Sequence, residues 1–508
     1  IGLPGETIAI HDGDLYVLAA DKGLRYPGDL DIAKQTTGSG MDPARRLWEK
    51  RFLHTNDEEA LKRFANHEFV IIRKPPETLL TMRRIVYDND HPAKDLADFH
   101  QPPRWADLGK GTGWASDGKN GFRLEAANAG AERRLSYRHL LRDERMEWRA
   151  RKAKLKSLVQ KDAALRAHLN QLKDPMKEIL TRRKPPDLTP QQEREWQQQL
   201  DRAADPIALL DDGLSADVQK LLRDFADNRN GFTADSVNRS FLELIAPELP
   251  PREAVLDELR QAYAQEQPQL ITDFMGYNTG EPEHGASGVN WVGDLILECD
   301  VQHDQAQGEL TLELSKGVDR FQAHFDLASG QCNLFRVGQD KPLNDQPKPT
   351  ALKGGGKHSV RFANVDQRLT VWVDDALPFG DGVPYDPPKT EGPTKENDLD
   401  PANIGMKGVG GTVSGLRLWR DTYYTIARNG DPTVPDAGSG VDFADPTWDK
   451  LRDLPTRTMY VQPGNYLCLG DNSPRSSDGR FWGLVPERLL LGKAVVIFYP
   501  IDRIARIK

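Results

Sequence analysis

Apolar and polar residues alternate with period two along much of this chain. Leu295, Leu297 and Cys299 fall on one face of a strand, and Leu310, Leu312 and Leu314 on one face of the next. Side chains of a strand point alternately to its two faces, so this spacing predicts half-buried strands. Similar runs predict strands over 294–301, 308–314, 320–326, 332–337, 358–363, 368–373 and 413–419, with others at 114–124, 134–140 and 270–274. Strands recurring every ~8–12 residues argue for an antiparallel sandwich. Near the start, Ile8–His11 and Leu15–Leu18 flank Asp12-Gly13, which predicts a hairpin because Gly tolerates positive φ. Residues 44–66 predict a helix capped by Thr55 or Asn56. A strand over 69–72 follows, ended by Lys74-Pro75-Pro76, and 82–87 is a further apolar segment. Between the two strand-rich parts the period changes. Leu155, Leu158, Val159, Leu165, Leu169 and Leu172 form a narrow stripe at helical spacing. Thr189 with Pro190 opens another helix, and helices are predicted over 215–228, 233–244 and 251–265. Stretches 377–403 and 429–447, rich in Gly, Pro and Asp, predict long loops, and 494–500 an apolar last strand.

At 508 residues the chain has room for roughly three domains. Its 29% charged and 38% hydrophobic residues fit a soluble globular protein with solvated helices. A net charge of −9 argues against a nucleic-acid partner, which needs a basic surface. No apolar run reaches the ~20 residues of a membrane helix. The chain opens on Ile1 without an initiator Met or a secretory leader, so it reads as a fragment whose beginning is missing. Three cysteines make no disulfide framework. Cys299 and Cys332 fall in neighbouring strand runs, where two free buried thiols are favoured over a bridge. His54, His67, His91 and His100 lack zinc-ligand spacing. Asp227–Gly231 looks like a calcium loop but places Ala226 and Val237 at ligand positions, which offer no oxygen. Asp374-Asp375 and Asp398 with Asp400 carry oxygens of the kind Ca²⁺ takes, against the plainer reading of charged loops. No metal and no cofactor is expected.

The densest chemistry lies at 468–486, CLGDNSPRSSDGRFWGLVP. Gly470-Asp471-Asn472 supply a close approach and turn-capping side chains, Asp478 and Arg480 a paired charge, and Trp482-Gly483 and Val485-Pro486 a strand start. The stretch resembles the C-terminal signature of type I signal peptidases, roughly GDN-x-x-x-S-x-D-x-R-x-WG-x-VP. At the other end, Gly2-Leu3-Pro4-Gly5-Glu6 resembles that family's GLPGD box. Alone it is a tight turn, Pro4 fixing φ and Gly5 supplying the left-handed region; two matches in the family's order carry far more weight. The resemblance implies a serine–lysine dyad, in which a buried lysine takes the proton of a serine hydroxyl. Both dyad residues would precede Ile1. Ser39-Gly40-Met41-Asp42-Pro43 only echoes the nucleophile box, with an extra Gly and on the wrong side of the turn. By the same resemblance, Ser476 would orient the lysine, Asp478 and Arg480 would brace the loop, and Gly2, Pro4, Gly5, Gly470, Asp471 and Asn472 would scaffold it. Ser473-Pro474 and Gly479 depart from the usual residues.

Residues 358–376, HSVRFANVDQRLTVWVDDA, resemble a hairpin of the concanavalin/laminin-G-like sandwich. The expected fold is mainly β with a helical insertion. Residues 1–31 and 445–508 form a peptidase-like β body, 32–103 an α/β connection, and 104–140 with 269–425 an inserted sandwich. Residues 141–268 form a helical insertion and 426–444 a linker. The resemblances imply the extracytoplasmic part of an endopeptidase that removes signal peptides, held to the membrane by an N-terminal anchor outside this chain. This stretch alone would be inactive. A carbohydrate or peptide ligand is the candidate for the sandwich. Trp291, Trp372 and Trp419 are possible stacking platforms, though strand aromatics are more often core. The rival is a lectin-like adaptor on a degenerate peptidase scaffold. A glycoside hydrolase would need paired carboxylates in a groove, and no such strand spacing occurs.

Overall fold

A computed structural model describes residues 1–24, 26, 54–92, 102–107, 113–140, 144–174, 177–178, 189–191, 193–194, 197–198, 245–265, 267–274, 290–354, 356–388, 392–426, 448, 451, 454–473, 476–492, 496–497 and 505–506. Among the described residues the fold is mainly β and antiparallel, with few helices.

β1 (Thr7–His11) and β2 (Asp14–Leu18) form the expected hairpin. Asp12 and Gly13 take φ of 47° and 82°, the positive values that a two-residue hairpin turn requires. α1 (Glu58–Ala65) is capped by Asp57, whose carboxylate accepts from the N–H groups of Glu59 and Ala60. The expected caps serve elsewhere: Thr55 bridges to Met459, and the Asn56 side chain accepts the Thr458 N–H. Residues 44–53 of that expected helix lie outside the described residues. β3 (Val70–Ile71) pairs with β2. Pro76 then opens α2 (Pro76–Met82), where a missing N–H costs nothing. β4 (Arg84–Asp88) follows.

The sandwich strands are β5 (Trp105–Ala106), β6 (Trp114–Ser116), β7 (Phe122–Leu124), β8 (Arg133–Tyr137), β9 (Leu295–His303), β10 (Glu309–Lys316), β11 (Asp319–Asp326), β12 (Gln331–Arg336), β13 (Lys348–Pro349), β14 (Gly356–Val365), β15 (Arg368–Val373), β16 (Val383–Pro384), β17 (Ala402–Lys407) and β18 (Gly411–Arg420). One sheet runs β13-β12-β11-β10-β17-β8-β5, the other β16-β15-β14-β9-β18-β7-β6, with β4 also on β18. Leu295, Leu297, Cys299 and Val301 of one sheet and Leu310, Leu312 and Leu314 of the other are all buried in one shared core. Ile296 points the other way and is buried too, because Leu79 of α2 covers that outer face beside Trp372. β17 lies between β10 and β8, and its sequence, ANIGMK, sets Ala402, Ile404 and Met406 on the core face. Residues 270–274 form no strand; Thr272 makes a single bridge to Trp291. Cys299, Cys332 and Cys468 are free thiols.

β19 (Arg457–Tyr460) returns to the start of the chain and pairs with β1, Thr7 facing Tyr460 and Ala9 facing Thr458. The order β19-β1-β2-β3 thus joins the start of the sequence to residues 457–460 in one sheet. β20 (Asn465–Tyr466) pairs with β21 (Val485–Pro486), and between them lies the short helix α3 (Gly479–Trp482). Ile8, Ile10, Met459, Val461 and Leu467 form a second apolar core with Tyr424 and Ile426.

Residues 93–102 and 142–266 form a separate compact unit. Its described helices span Glu144–Lys161, Ala163–Gln171 and Leu256–Ala264. Asp162 caps the second by accepting from the Ala164 and Leu165 N–H groups, so the apolar stripe is broken there. Leu155, Val159 and Leu169 are buried, whereas Leu158 is exposed. The helices expected over 215–228 and 233–244, and the loop at 227–231, lie outside the described residues.

Candidate functional site

The first turn of the chain is fixed by backbone geometry. Gly5 takes φ +86°, and the Glu6 N–H closes the turn on the Leu3 carbonyl at 3.0 Å. The Glu6 carboxylate accepts the Leu3 N–H at 2.7 Å. Gly2 exchanges hydrogen bonds with Leu467, at 2.8 and 3.0 Å. Gly5 donates to the Val461 carbonyl at 2.7 Å, and Val461 donates to Glu6 at 2.8 Å. A Cβ on Gly2 would come within 2.7 Å of Ile8 Cγ1, so this strand approaches its neighbours only because Gly2 has no side chain. Pro4 lies half-buried between the two glycines.

Leu467 runs directly into the 468–486 loop, which the Asp478 carboxylate organises. Asp478 accepts the Gly470 N–H at 2.9 Å and caps α3 through the Arg480 N–H at 3.0 Å. The Arg480 guanidinium meets the same carboxylate with two nitrogens, Nε at 2.9 Å and Nη2 at 2.7 Å. The two side chains are 5% and 2% exposed, so this is a buried, bidentate, charge-assisted pair rather than a surface contact. Burial pushes the Asp478 carboxyl up, but the guanidinium and the two N–H donors outweigh it and hold the group below its ordinary value. Gly479 closes the base of the loop by donating to the Cys468 carbonyl at 2.8 Å. Ser476 is half-buried, and its Oγ lies against Gly470 where a Cβ would otherwise stand.

The structure therefore brings Gly470, Ser476, Asp478 and Arg480 together, with Gly2 and Gly5 in the adjoining turn. Asp471 and Asn472 lie exposed at the tip, where Arg84 donates to the Asp471 carbonyl at 3.0 Å. The Trp482 indole donates to the Ser477 carbonyl at 2.9 Å.

Three residues of this network have no signal in the sequence pattern. The third guanidinium nitrogen of Arg480 donates to Ser473 Oγ at 2.6 Å, the Thr425 carbonyl at 2.9 Å and Thr425 Oγ1 at 3.0 Å. Arg457 donates to the carbonyls of Ile426 at 2.6 Å and Arg480 at 3.1 Å. Ser473, read from sequence as a departure from the family residue, is thus a buried hydrogen-bonding partner.

A second polar cluster joins the β1–β2 hairpin to the sandwich. Carboxylate oxygens of Asp14, Asp294, Asp366 and Asp421 converge within 4.8 Å of one another. Two ammonium groups already lie among them. Lys74 contacts Asp366 and Asp421, each at 2.7 Å, and Lys316 contacts Asp294, with Asp14 at 3.9 Å. Burial, reinforced by Asp294, raises the Asp14 carboxyl well above its ordinary value. Of the acids considered from sequence for Ca²⁺, Asp374, Asp375 and Asp398 have hydrogen-bond partners in the protein. Asp374 bonds His358 and the Ser359 N–H, Asp375 bonds Arg361, and Asp398 bonds Ser315 and the Gly317 N–H. Trp291 and Trp372 are buried, and Trp419 lies under the Arg83 guanidinium at 4.0 Å, so none stands free as a stacking platform.

Residues 427–499 match the family model described as "Signal peptidase, peptidase S26". Among curated proteins, signal peptidase I of Buchnera aphidicola subsp. Acyrthosiphon pisum is 42% identical over 52 residues, 10% of this chain and 17% of that protein. Signal peptidase I of Leptolyngbya laminosa is 43% identical over 47 residues, 9% of this chain and 23% of the relative. That of Aquifex aeolicus is 51% identical over 41 residues, 8% of this chain and 16% of the relative. The chain thus spans less than a quarter of the length of these relatives. Its C-terminal segment is signal peptidase-like. Among solved structures, a carbohydrate-binding module, CBM66 from Bacillus subtilis, is similar at 13% identity and TM-score 0.20, covering 25% of this chain and 74% of that one. Caenorhabditis elegans galectin LEC-6 is similar at 10% identity and TM-score 0.19, covering 25% and 82%. No helix among the described residues is long and apolar enough to cross a membrane.

Proposed function

We propose that this chain is the extracytoplasmic part of a signal peptidase I-type serine endopeptidase that cleaves signal peptides from secreted preproteins. On this reading the nucleophilic serine, the general-base lysine and a membrane anchor come from sequence preceding Ile1. The observation that carries the proposal is the pairing of Gly2 with Leu467, immediately before the braced loop. Antiparallel register continued backwards sets a residue a few positions before Ile1 opposite residues 469–472, beside Ser476. That is where the family resemblance puts the lysine. A general base works only within hydrogen-bond reach of its proton, so a rigid Ser476 hydroxyl next to that amine supplies orientation. Asp478 and Arg480 stabilise the loop that carries it. The substrate binds as an added strand, its main chain giving affinity and small side chains giving specificity.

The test is cleavage of a preprotein by the natural protein that contains this chain. Scission after a small residue, reduced about 10²-fold or more by Ser476→Ala, supports the reading. Intact preprotein after prolonged incubation overturns it.

The second reading, a lectin-like adaptor, draws support from the outer face of the sheet at β11-β10-β17-β8. There Glu313 is buried among Arg320, Asn403, Gln322 and Arg134, with His324 against Phe335 at 4.8 Å. Such a polar array beside rings suits a polyol ligand. A saccharide array probed with this chain tests it, and no binding to any saccharide rejects it.

A further inference from the structure

From the geometry we infer that Thr425 and Ser473 are positioning residues, through which the segment leaving the sandwich holds the Ser476 loop in place. Two of the three guanidinium nitrogens of Arg480 are committed to Asp478. Among the described residues, the third has its acceptors on Thr425 and Ser473. Ser473 Oγ also accepts the Thr425 N–H at 3.1 Å, so the two residues are tied to each other as well as to Arg480. All three are buried, where an unmade hydrogen bond is costly.

Thr425 is itself anchored from the sandwich side. β18 ends at Arg420, and the next residues are fixed one after another. The Asp421 N–H donates to the Asp294 carbonyl at 2.9 Å, Thr422 Oγ1 to the Met82 carbonyl at 3.0 Å, and the Tyr424 N–H to the Gly13 carbonyl at 3.0 Å. Arg457 then ties Ile426 to Arg480 from the β19 side. A guanidinium is a rigid planar fork, so fixing its third nitrogen fixes the plane in which it presents the other two to Asp478. The sandwich is therefore built into the loop rather than appended to it. The catalytic meaning of this clamp rests on the peptidase reading; the clamp itself does not.

The experiment uses the chain as it stands and reads amide hydrogen exchange of the 468–482 segment, with the β10 amides as reference. Thr425→Val and Ser473→Ala are both expected to speed exchange at Gly470 and Gly479 by about tenfold, leaving β10 unchanged, while Thr425→Ser restores protection. Unchanged loop exchange in both variants, or equal loosening of β10, overturns the inference. In the natural protein the same two variants are expected to lower kcat with KM unchanged, with Thr425→Ser recovering it. If the wild-type protein cleaves no preprotein, the peptidase reading fails while the exchange data still decide the clamp.

Discussion

Replacing Arg480 with methionine removes the guanidinium and leaves most of the side chain's length. The Asp478 carboxylate, 5% exposed, is then buried with only the backbone N–H groups of Gly470 and of position 480 as donors. Ser473 Oγ and the Thr425 carbonyl lose their charged donor as well. Breaking a buried pair by deleting one partner costs about 3–5 kcal/mol, because the other charge stays in the low-dielectric interior. That corresponds to an increase of about two to three and a half orders of magnitude in the opening equilibrium of the loop. Hydrogen exchange at Gly470 and Gly479 is the assay, since both amides are bonded only while the loop is closed. Acid gives a second readout. The folded Asp478 carboxyl titrates below its unfolded value of about 3.9, so its contribution is full above that pH and lost as pH falls through the lower folded value. Arg480→Met should abolish this acid-linked step. Loop amides exchanging at wild-type rates in the variant would show that the pair does not brace the loop.

Gly470→Ala places a methyl group where Ser476 Oγ lies, so it should lower preprotein cleavage by about 10²-fold with the melting curve unchanged, measured in the natural protein. Gly13→Ala, at φ +82° and against the Tyr423 ring, should cost about 2 kcal/mol or more in denaturant unfolding, by adding backbone strain to overpacking. His139 is held neutral by burial and by Arg104, its pKa lowered to about 3, with the Tyr137 hydroxyl 2.9 Å from Nδ1. Its stabilising effect is full above the unfolded value of about 6.5 and falls away as pH drops towards 3. Wild type should therefore lose about 2 kcal/mol between pH 7 and pH 5 that His139→Gln retains.

What could be read beforehand follows from how local each signal is. The hairpin at Asp12-Gly13 and the period-two strands of the sandwich are visible because a few adjacent residues decide them. The GDN-to-VP stretch is visible for the same reason: Gly470, Ser476, Asp478 and Arg480 make contact within one loop. β17 is harder to see, because its short alternation of Ala402, Ile404 and Met406 begins inside the Gly/Pro/Asp-rich stretch 377–403 expected as loop; it lies between β10 and β8, buried by strands far away in sequence. The α1 cap was misplaced by one or two residues because Asn56 is drawn off by Thr458. Thr425 and Arg457 carry no signal and Ser473 reads only as a departure from the family residue, since what gives each its role is Arg480, which the fold brings over it. The Asp14, Asp294, Asp366 and Asp421 cluster was hidden for the same reason: each acid is a single residue on a different strand or loop, joined only in three dimensions.

The proposed peptidase site requires the first ten residues and residues 457–460 to share one sheet. Ala9 and Thr458 face each other across β1 and β19, both fully buried, at the separation that a cross-strand disulfide spans. The direct measurement is oxidation of an Ala9→Cys/Thr458→Cys chain in a Cys468→Ser background, followed by peptide mass mapping. We expect one dominant cross-link joining the N-terminal peptide to the 458 peptide, formed in the folded chain and not in denaturant. Reduced cysteines after native oxidation, or cross-linking equally efficient in the unfolded chain, would contradict the central claim.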